Sequence, residues 1–363
     1  MLNAAQRRVL LVACIGVAVL ITLDVARGHS SIGRPECGRP IPRQGSVSSE
    51  VWLADAISDV PCVDSGRVDY DVRHHGAVLD LIDPIADPAG GYIGVYDFPF
   101  NYHGHGTFLV GLARSTNLVS WKQVRSLVSR DASAPALTAI PGGHGYLLAY
   151  EASHALENGD TVELRYYRSL HAVGTNRVAA QVDLPQVLSR FNNGTPWFLS
   201  VDWRGGLRRS VIRLAFDYEA PTAAGLPGFD RDAVGVLRGF RSWSASSVSA
   251  VNAALNSVGL AGDHGDSRQF SLFHQNWRVY EADTPLGGFR GWHVVLDDIS
   301  TNRMYPLRID VAGGPFSTSF GNPIVSVLPA PSGHGQVLAV TMFVFGSGPA
   351  GRDGGELVYY RPL

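Results

Sequence analysis

The chain is poor in cysteine, in lysine and in runs of like charge, and each shortage excludes a class of protein. Among 363 residues there are three cysteines. Cys14 lies in an apolar N-terminal segment, which leaves Cys37 and Cys62 without the clustered Cys/His spacing that structural zinc requires. In an oxidising compartment these two are expected to pair, stapling the Pro/Gly/Ser-rich stretch 34–49 to the body. Lys122 is the only lysine, and the formal net charge is −2 with no charge runs. Nucleic acid is therefore not an expected partner.

Long apolar runs are missing too, with one exception at the N-terminus. Arg7 and Arg8 precede the uncharged stretch Val9 to Leu23, which is followed by Asp24 and a small-residue site ending at Gly28. Residues 1–28 read as a signal peptide, either cleaved or retained as a membrane anchor. On either reading the remainder is exported, secreted or held at the outer face of the membrane, and this segment is its one expected contact with lipid. Residues 29–50 read as a linker and 51–363 as one domain.

What the chain has in quantity is turn residues, 41 glycines and 21 prolines, beside 45% apolar residues. That mixture suits an all-β protein of many short strands. Between Gly91 and Trp121 two apolar runs, Tyr92 to Tyr96 and Thr107 to Ala113, flank a Pro/Asn/Gly/His-rich connection and read as an antiparallel hairpin. The run Gly91 to Asp97 recurs in kind at Gly145 to Glu151, Val211 to Asp217, Trp277 to Glu281 and Gln336 to Phe343. The copies start roughly 55 to 65 residues apart, which suits one four-stranded propeller blade with its loops. Five copies imply a five-bladed β-propeller.

Prolines mark the strand before four of the five copies: Pro84, Pro135, Pro196 and Pro323 each open an apolar run, as proline can at the first residue of a strand, and the copy at Trp277 lacks one. The turns after these runs are glycine-rich, and His144 and His334 fall in Gly-His-Gly turns. Blades are expected to end near Val128, Val182, Trp243, Leu307 and Leu363. A strand at Val51 to Ala54 or Ala77 to Leu81 is expected to close the ring beside Glu356 to Arg361.

In an antiparallel hairpin the start of the first strand and the end of the second share an edge. Asp83, Asn193 and Asn322 from first strands should therefore meet Asp97, Glu151, Asp217 and Glu281 from second strands around a central funnel. Such an acidic, amide-rich mouth suits sugar hydroxyls, with aromatic rings such as Trp197, Trp203, Tyr102 and Trp277 to stack on a pyranose. Paired carboxylates also suit glycosidic cleavage; equally, each acid could hold the backbone amides of a loop. His75, Asp266 and Arg268 are further candidates for substrate contact, and Arg268 could instead form an internal ion pair.

The run Val110 to Trp121 resembles the Ser-x-Asp-Leu-x-x-Trp signature that ends a blade in five-bladed propeller glycoside hydrolases, the family-43 arabinanase and xylosidase group with its invertase and levansucrase relatives. That resemblance implies an aspartate base on the first blade, a second aspartate on the next and a glutamate acid on the third. Asp83-Pro84 matches the first position, whereas Ala136 and Asn193 stand at the other two. The resemblance thus implies a divergent hydrolase in which Asp83 works with Glu151 or Glu281. A non-catalytic glycan-binding propeller and a protein-interaction propeller are the alternatives. No cofactor or catalytic metal is implied, a structural calcium or similar ion in the funnel stays open, and a monomer acting on carbohydrate is expected.

Overall fold

The structure, a computed structural model, describes residues 45–61, 68–74, 77–78, 81–102, 105–129, 131–153, 159–285, 291–309, 319–345 and 355–363, with backbone alone at 68–74, 77–78, 81–82, 99–102, 105–107, 266 and 355. Five antiparallel sheets follow one another along the chain. Blade 1 comprises β3 (Leu81–Ala86), β4 (Tyr92–Tyr102), β5 (His105–Ser115) and β6 (Lys122–Val128). Blade 2 comprises β7 (Ala132–Ala139), β8 (Tyr146–Ser153), β9 (Asp160–Tyr167) and β10 (Ala180–Leu184). Blade 3 is built from β11 (Asn193–Asp202), β12 (Val211–Pro221), β13 (Pro227–Arg238) and β14 (Ser242–Ser247), and blade 4 from β15 (His264–Leu272), β16 (Gln275–Ala282), β17 (His293–Asp298) and β18 (Arg303–Pro306). Blade 5 takes β19 (Phe320–Pro329), β20 (Gln336–Val344) and β21 (Gly355–Pro362) from the C-terminus, then β1 (Val68–His74) and β2 (Ala77–Val78) from the start of the domain.

The ring therefore closes as expected in kind but with a different strand. β1 pairs antiparallel with β21, Val68 opposite Tyr359, so the first and last strands share a sheet and the last blade is not left with three strands. Val51 to Ala54 is not a strand. It lies in helix α1 (Ser49–Ser58), which starts where the Ser48 side chain accepts the Val51 N–H and Glu50 faces the helix N-terminus. Its buried residues Trp52, Leu53, Ala56 and Ile57 recur at helical spacing, and the stripe packs onto Trp277, Leu296, Leu338 and Tyr359 of blades 4 and 5. The Tyr359 hydroxyl donates to the Ile57 carbonyl, fixing the helix end to blade 5. Two other short helices, α2 (Leu170–Gly174) and α3 (Ser249–Ser257), sit in blade connections.

Alternation along the second strands explains how blades stack. In β8, Leu147 and Ala149 join the cluster shared with blade 3, while Leu148 and Tyr150 join the one shared with blade 1. Successive side chains point to opposite faces of a strand, so each blade presents one apolar row to each neighbour.

Glycine-rich turns join first and second strands. Ile140 and Gly143 form the same pair of backbone bonds with Gly145 and each other as Ala330 and Gly333 form in blade 5. His144 and His334 are thus hairpin-turn residues. The Ser115-to-Trp121 stretch is another turn: Asn117 Oδ1 accepts the N–H groups of Val119 and Ser120, and Trp121 Nε1 donates to the Leu118 carbonyl. The Pro/Asn-rich connection after Tyr96 is itself strand, with Pro99 paired opposite Phe108. Among the described residues no helix is long and apolar enough to cross a membrane. The signal segment, Cys37, Cys62 and His75 lie outside the described residues.

Candidate functional site

First strands run down the middle of the ring, and four of the five begin with an irregularity. The register of β7, β11, β15 and β19 against the second strand slips at Ser133/Ala136, Gly194/Trp197, His264/Ser267 and Gly321/Ile324. Three of the prolines lie inside these bulges rather than at the first residue of the strand. Each follows a residue in the left-handed region: Ala134 (φ 46°), Thr195 (φ 45°) and Asn322 (φ 48°). A bulge leaves one N–H out of the ladder, and proline contributes none. Only β3 pairs in unbroken register, Leu81 opposite Asp97 through Ala86 opposite Tyr92.

The carboxylates that end the second strands answer the bulges. Asp97, on blade 1, accepts the buried Ala134 N–H of blade 2 at 2.6 Å. Glu281, on blade 4, accepts the Asn322 N–H of blade 5 through Oε2. Glu151, on blade 2, lies over Gly194 of blade 3, where a Cβ would overlap its carboxylate, and Gly321 meets Glu281 in the same way. Asp217 accepts the Thr195 hydroxyl within blade 3. Asp97, Glu151 and Glu281 share the pleat face of Val95, Ala149 and Val279, the rows that pack on the next blade. Blade 5 has Phe343 at the equivalent place, and the strand it would serve, β3, has no bulge. Asp97, Glu151 and Glu281 therefore stand in the seams between blades, and Asp217 engages Thr195 of its own blade.

Asp83 stands apart from that ring. It is 7% exposed and lines a cavity of about 140 Å³ bounded by Ala136, Trp197, Phe198, Arg268, Gln269 and Ser326, all from first strands. Its Oδ2 accepts the Leu137 N–H at 3.2 Å and lies 3.9 Å from Arg268 Nη2. Burial pushes the Asp83 carboxyl above its usual range of about 3.8, against the opposing pull of Arg268 and the Leu137 amide. The Arg268 guanidinium also donates to the carbonyls of Ser267 and Pro135, so one side chain from blade 4 crosses to blades 1 and 2. Arg268 is thus in an ion pair, as one of its two readings expects, and that pair is on the cavity wall.

Trp197 is buried on the same wall, packed between Ala136 and Ala215, and its indole Nε1 has no hydrogen-bond partner among the described residues. Asn193 is buried at the head of β11, its Oδ1 likewise without a partner among the described residues. Asn322 is held by its backbone N–H. Asp266 sits in the β15 bulge, its side chain outside what is described. Two of the aromatic candidates lie elsewhere. Trp277 is fully buried beneath α1, and Trp203 follows β11 at the opposite end of that strand from its bulge, stacked 5.7 Å from His144. Trp203 lies in the connection between β11 and β12, and Trp277 near the start of β16, both on the far side from the bulges.

Several positions escaped the sequence reading. Thr138, Gln269 and Ser326 line the cavity without belonging to any motif; their signal was register, since they follow the bulges at equal steps. Between blades 3 and 4 a buried polar seam joins His264 Nδ1 to Asp232 Oδ2 at 2.9 Å, with Arg278 and Asp297 paired at 3.3 Å nearby. Among the described residues no cluster of three or more His, Cys, Asp or Glu side chains could hold a metal ion.

No protein-family model matches the sequence, and no curated protein is significantly similar to it. Solved structures are similar in fold. A glycoside hydrolase superimposes with a TM-score of 0.55 at 13% identity, covering 87% of this chain and 96% of its own. A thermostable family-43 glycoside hydrolase does so with a TM-score of 0.50 at 11% identity, covering 81% and 93%. The architecture is thus the five-bladed propeller of four-stranded blades found in those glycoside hydrolases, reached here by a sequence only distantly like theirs.

Proposed function

We propose that this is an exported, carbohydrate-active propeller that takes a saccharide in its central channel, with Asp83 and Arg268 as the polar pair that orients it. The observation that carries this reading is the buried Asp83–Arg268 pair on the wall of the central cavity, beside an indole N–H with no partner among the described residues. A carboxylate and a guanidinium side by side offer acceptors and donors to neighbouring sugar hydroxyls, and Trp197 adds an apolar wall with one more donor. The likeness in fold to glycoside hydrolases supports the substrate class by analogy alone.

Between cleavage and recognition, the seam geometry favours recognition. Hydrolysis by paired carboxyls needs the second within about 5 to 10 Å of the first, across the glycosidic bond. Glu281 is engaged on the Asn322 amide of the next blade, and Glu151 is lodged against Gly194. The competing hydrolase reading keeps Asp83 as base, and its support is the position of Asp83 and its burial-raised pKa.

One experiment separates the two. Binding and product release are measured together for wild type and Asp83→Asn on arabinan, xylan, fructan and mannan oligosaccharides. The recognition reading expects binding without release, weakened about tenfold or more by Asp83→Asn. Release by wild type that Asp83→Asn abolishes establishes the hydrolase instead, and no binding at all rejects the channel as a saccharide site.

A further inference from the structure

The face opposite the bulges carries a concentration of positive charge that the near-neutral total conceals. At the underside of blades 2 and 3 the connections 140–145, 168–179, 203–210 and 239–241 contain six arginines, Arg168, Arg177, Arg204, Arg208, Arg209 and Arg241, and no aspartate or glutamate. All six are exposed. Arg204 pairs with Asp202, at the end of β11, at 2.6 Å; the other five make no ion pair among the described residues.

The four connections form one surface. Gly145 packs against the Arg168 backbone, and the His144 and Tyr166 rings lie 5.7 and 5.6 Å from Trp203, which precedes Arg204. The Gly239 N–H donates to the Ser210 carbonyl at 2.8 Å, and Gly239 abuts the Arg208 backbone. Guanidinium groups thus surround a half-exposed aromatic cluster.

From this we infer that the underside of blades 2 and 3 binds an anionic polysaccharide, a chain of uronate or comparably charged sugars, at a site separate from the central channel. Unpaired arginines spread along a surface match a polymer with charges at intervals better than one small anion, because each guanidinium takes a carboxylate bidentately while the whole patch lowers the potential barrier to approach. Half-exposed aromatic rings suit pyranose faces. A lipid surface fits less well: Val178, at 37%, is the one large apolar side chain more than about a third exposed in the described part of these connections. The inference does not rest on the channel reading.

The test is binding of the folded protein to polygalacturonate, to neutral dextran of matched length and to anionic phospholipid vesicles, with wild type and the double variant Arg208→Glu/Arg209→Glu. These side chains are exposed and make no ion pair among the described residues, so unchanged thermal melting is expected and certifies the fold. Binding to polygalacturonate and not dextran, weakened about tenfold between low and roughly 0.3 M salt and about tenfold or more by the double variant, supports the inference. Equal binding to dextran, no binding to polygalacturonate, binding indifferent to the double variant, or tighter binding to vesicles overturns it. Asp83→Asn, which addresses the channel, is expected to leave polygalacturonate binding unchanged; loss there places the polymer in the channel and also rejects the separate site.

Discussion

Replacing Asp97 by alanine separates the two roles that a repeated rim acid can have. The carboxylate is 2% exposed and accepts the Ala134 N–H at 2.6 Å, across the seam from blade 1 to blade 2. Alanine at 97 leaves that buried amide without its acceptor, which costs about 1–3 kcal/mol, and opens a small void where the carboxylate was. Relief from burying a charge offsets part of this, so a net loss of about 2 kcal/mol is expected. For a domain of this size each kcal/mol shifts the midpoint by roughly 2–3 °C, giving a fall of about 4–6 °C. Asp97→Asn keeps an oxygen for the amide, so a loss under about 1 kcal/mol is expected. The assay is thermal and denaturant unfolding of wild type and both variants, with saccharide binding on the same samples below the transition. The seam role predicts Ala much less stable than Asn, and binding retained by both. Wild-type stability in Asp97→Ala together with lost binding refutes the reasoning and returns Asp97 to the site; equal losses for Asn and Ala refute the amide bond as its basis.

The same logic extends to other positions. Gly194→Ala places a Cβ against the Glu151 carboxylate, so it is expected to destabilise by about 1–3 kcal/mol, and the loss should shrink in a Glu151→Ala background; additive effects in a double-mutant cycle argue against the contact. Glu163 is pushed up to about 7, chiefly by burial, against the pull of Arg165. The folded state then binds the extra proton between its ordinary 4.5 and about 7, so stability is highest below that window and falls as pH rises through it, by something on the order of 3 kcal/mol. Glu163→Gln should flatten that slope, and a slope that survives the change assigns it to another group. Trp52→Ala, in the stripe of α1 packed on blades 4 and 5, is expected to cost about 3–5 kcal/mol in equilibrium unfolding, a prediction that fails if the variant melts with wild type.

Blade number was legible because second strands repeat a pattern that period-two alternation and terminal carboxylates make visible, whereas the end of blade 3, expected near Trp243, lies at Ser247 because the polar outer strand Ser242–Ser247 carries little apolar signal. The same alternation held information about where those carboxylates point. In Gly91 to Asp97, Asp97 follows Val95 and Ile93 at steps of two, so whichever face these apolar residues bury, Asp97 shares. Asp97 and Asp83 lie near one edge of the β3–β4 pair, two residues apart in register, but a shared edge is silent about direction. Helix α1 was harder to see: two residues of high strand propensity at its start, Val51 and Trp52, make a short apolar run with Leu53 and Ala54 that has no clear period, and packing against blades 4 and 5 decides the matter. The closing strand Val68–His74 lies between β21 and the edge strand β2; Val68, Tyr70 and Val72 alternate with Asp69, Asp71 and Arg73, a period-two pattern too short to stand out beside the longer recurring runs.

A propeller ring that binds a ligand has two demands on its inner edge, and on the proposed reading they fall to different acids. Joining blades requires a strong acceptor wherever a bulge frees an amide, and the bulges at the heads of β7 and β19 are met in this way by Asp97 and Glu281, with Glu151 lodged over the bulge of β11. Recognising a ligand requires a polar group that the ring leaves turned inward. β3 meets that condition because its register is unbroken, so no amide there calls for an acid from blade 5, where Phe343 stands instead. Asp83 is therefore placed by the one regular first strand, and it faces a cavity while still tied to Leu137 and Arg268. Inserting the missing acid at 343 would test that division directly. Phe343→Glu has no freed amide to serve and would bury an unpaired charge beside β3, so it should destabilise by several kcal/mol, far more than Glu281→Ala removes. A stable, well-folded Phe343→Glu protein would show that the seam acids are not matched to the bulges.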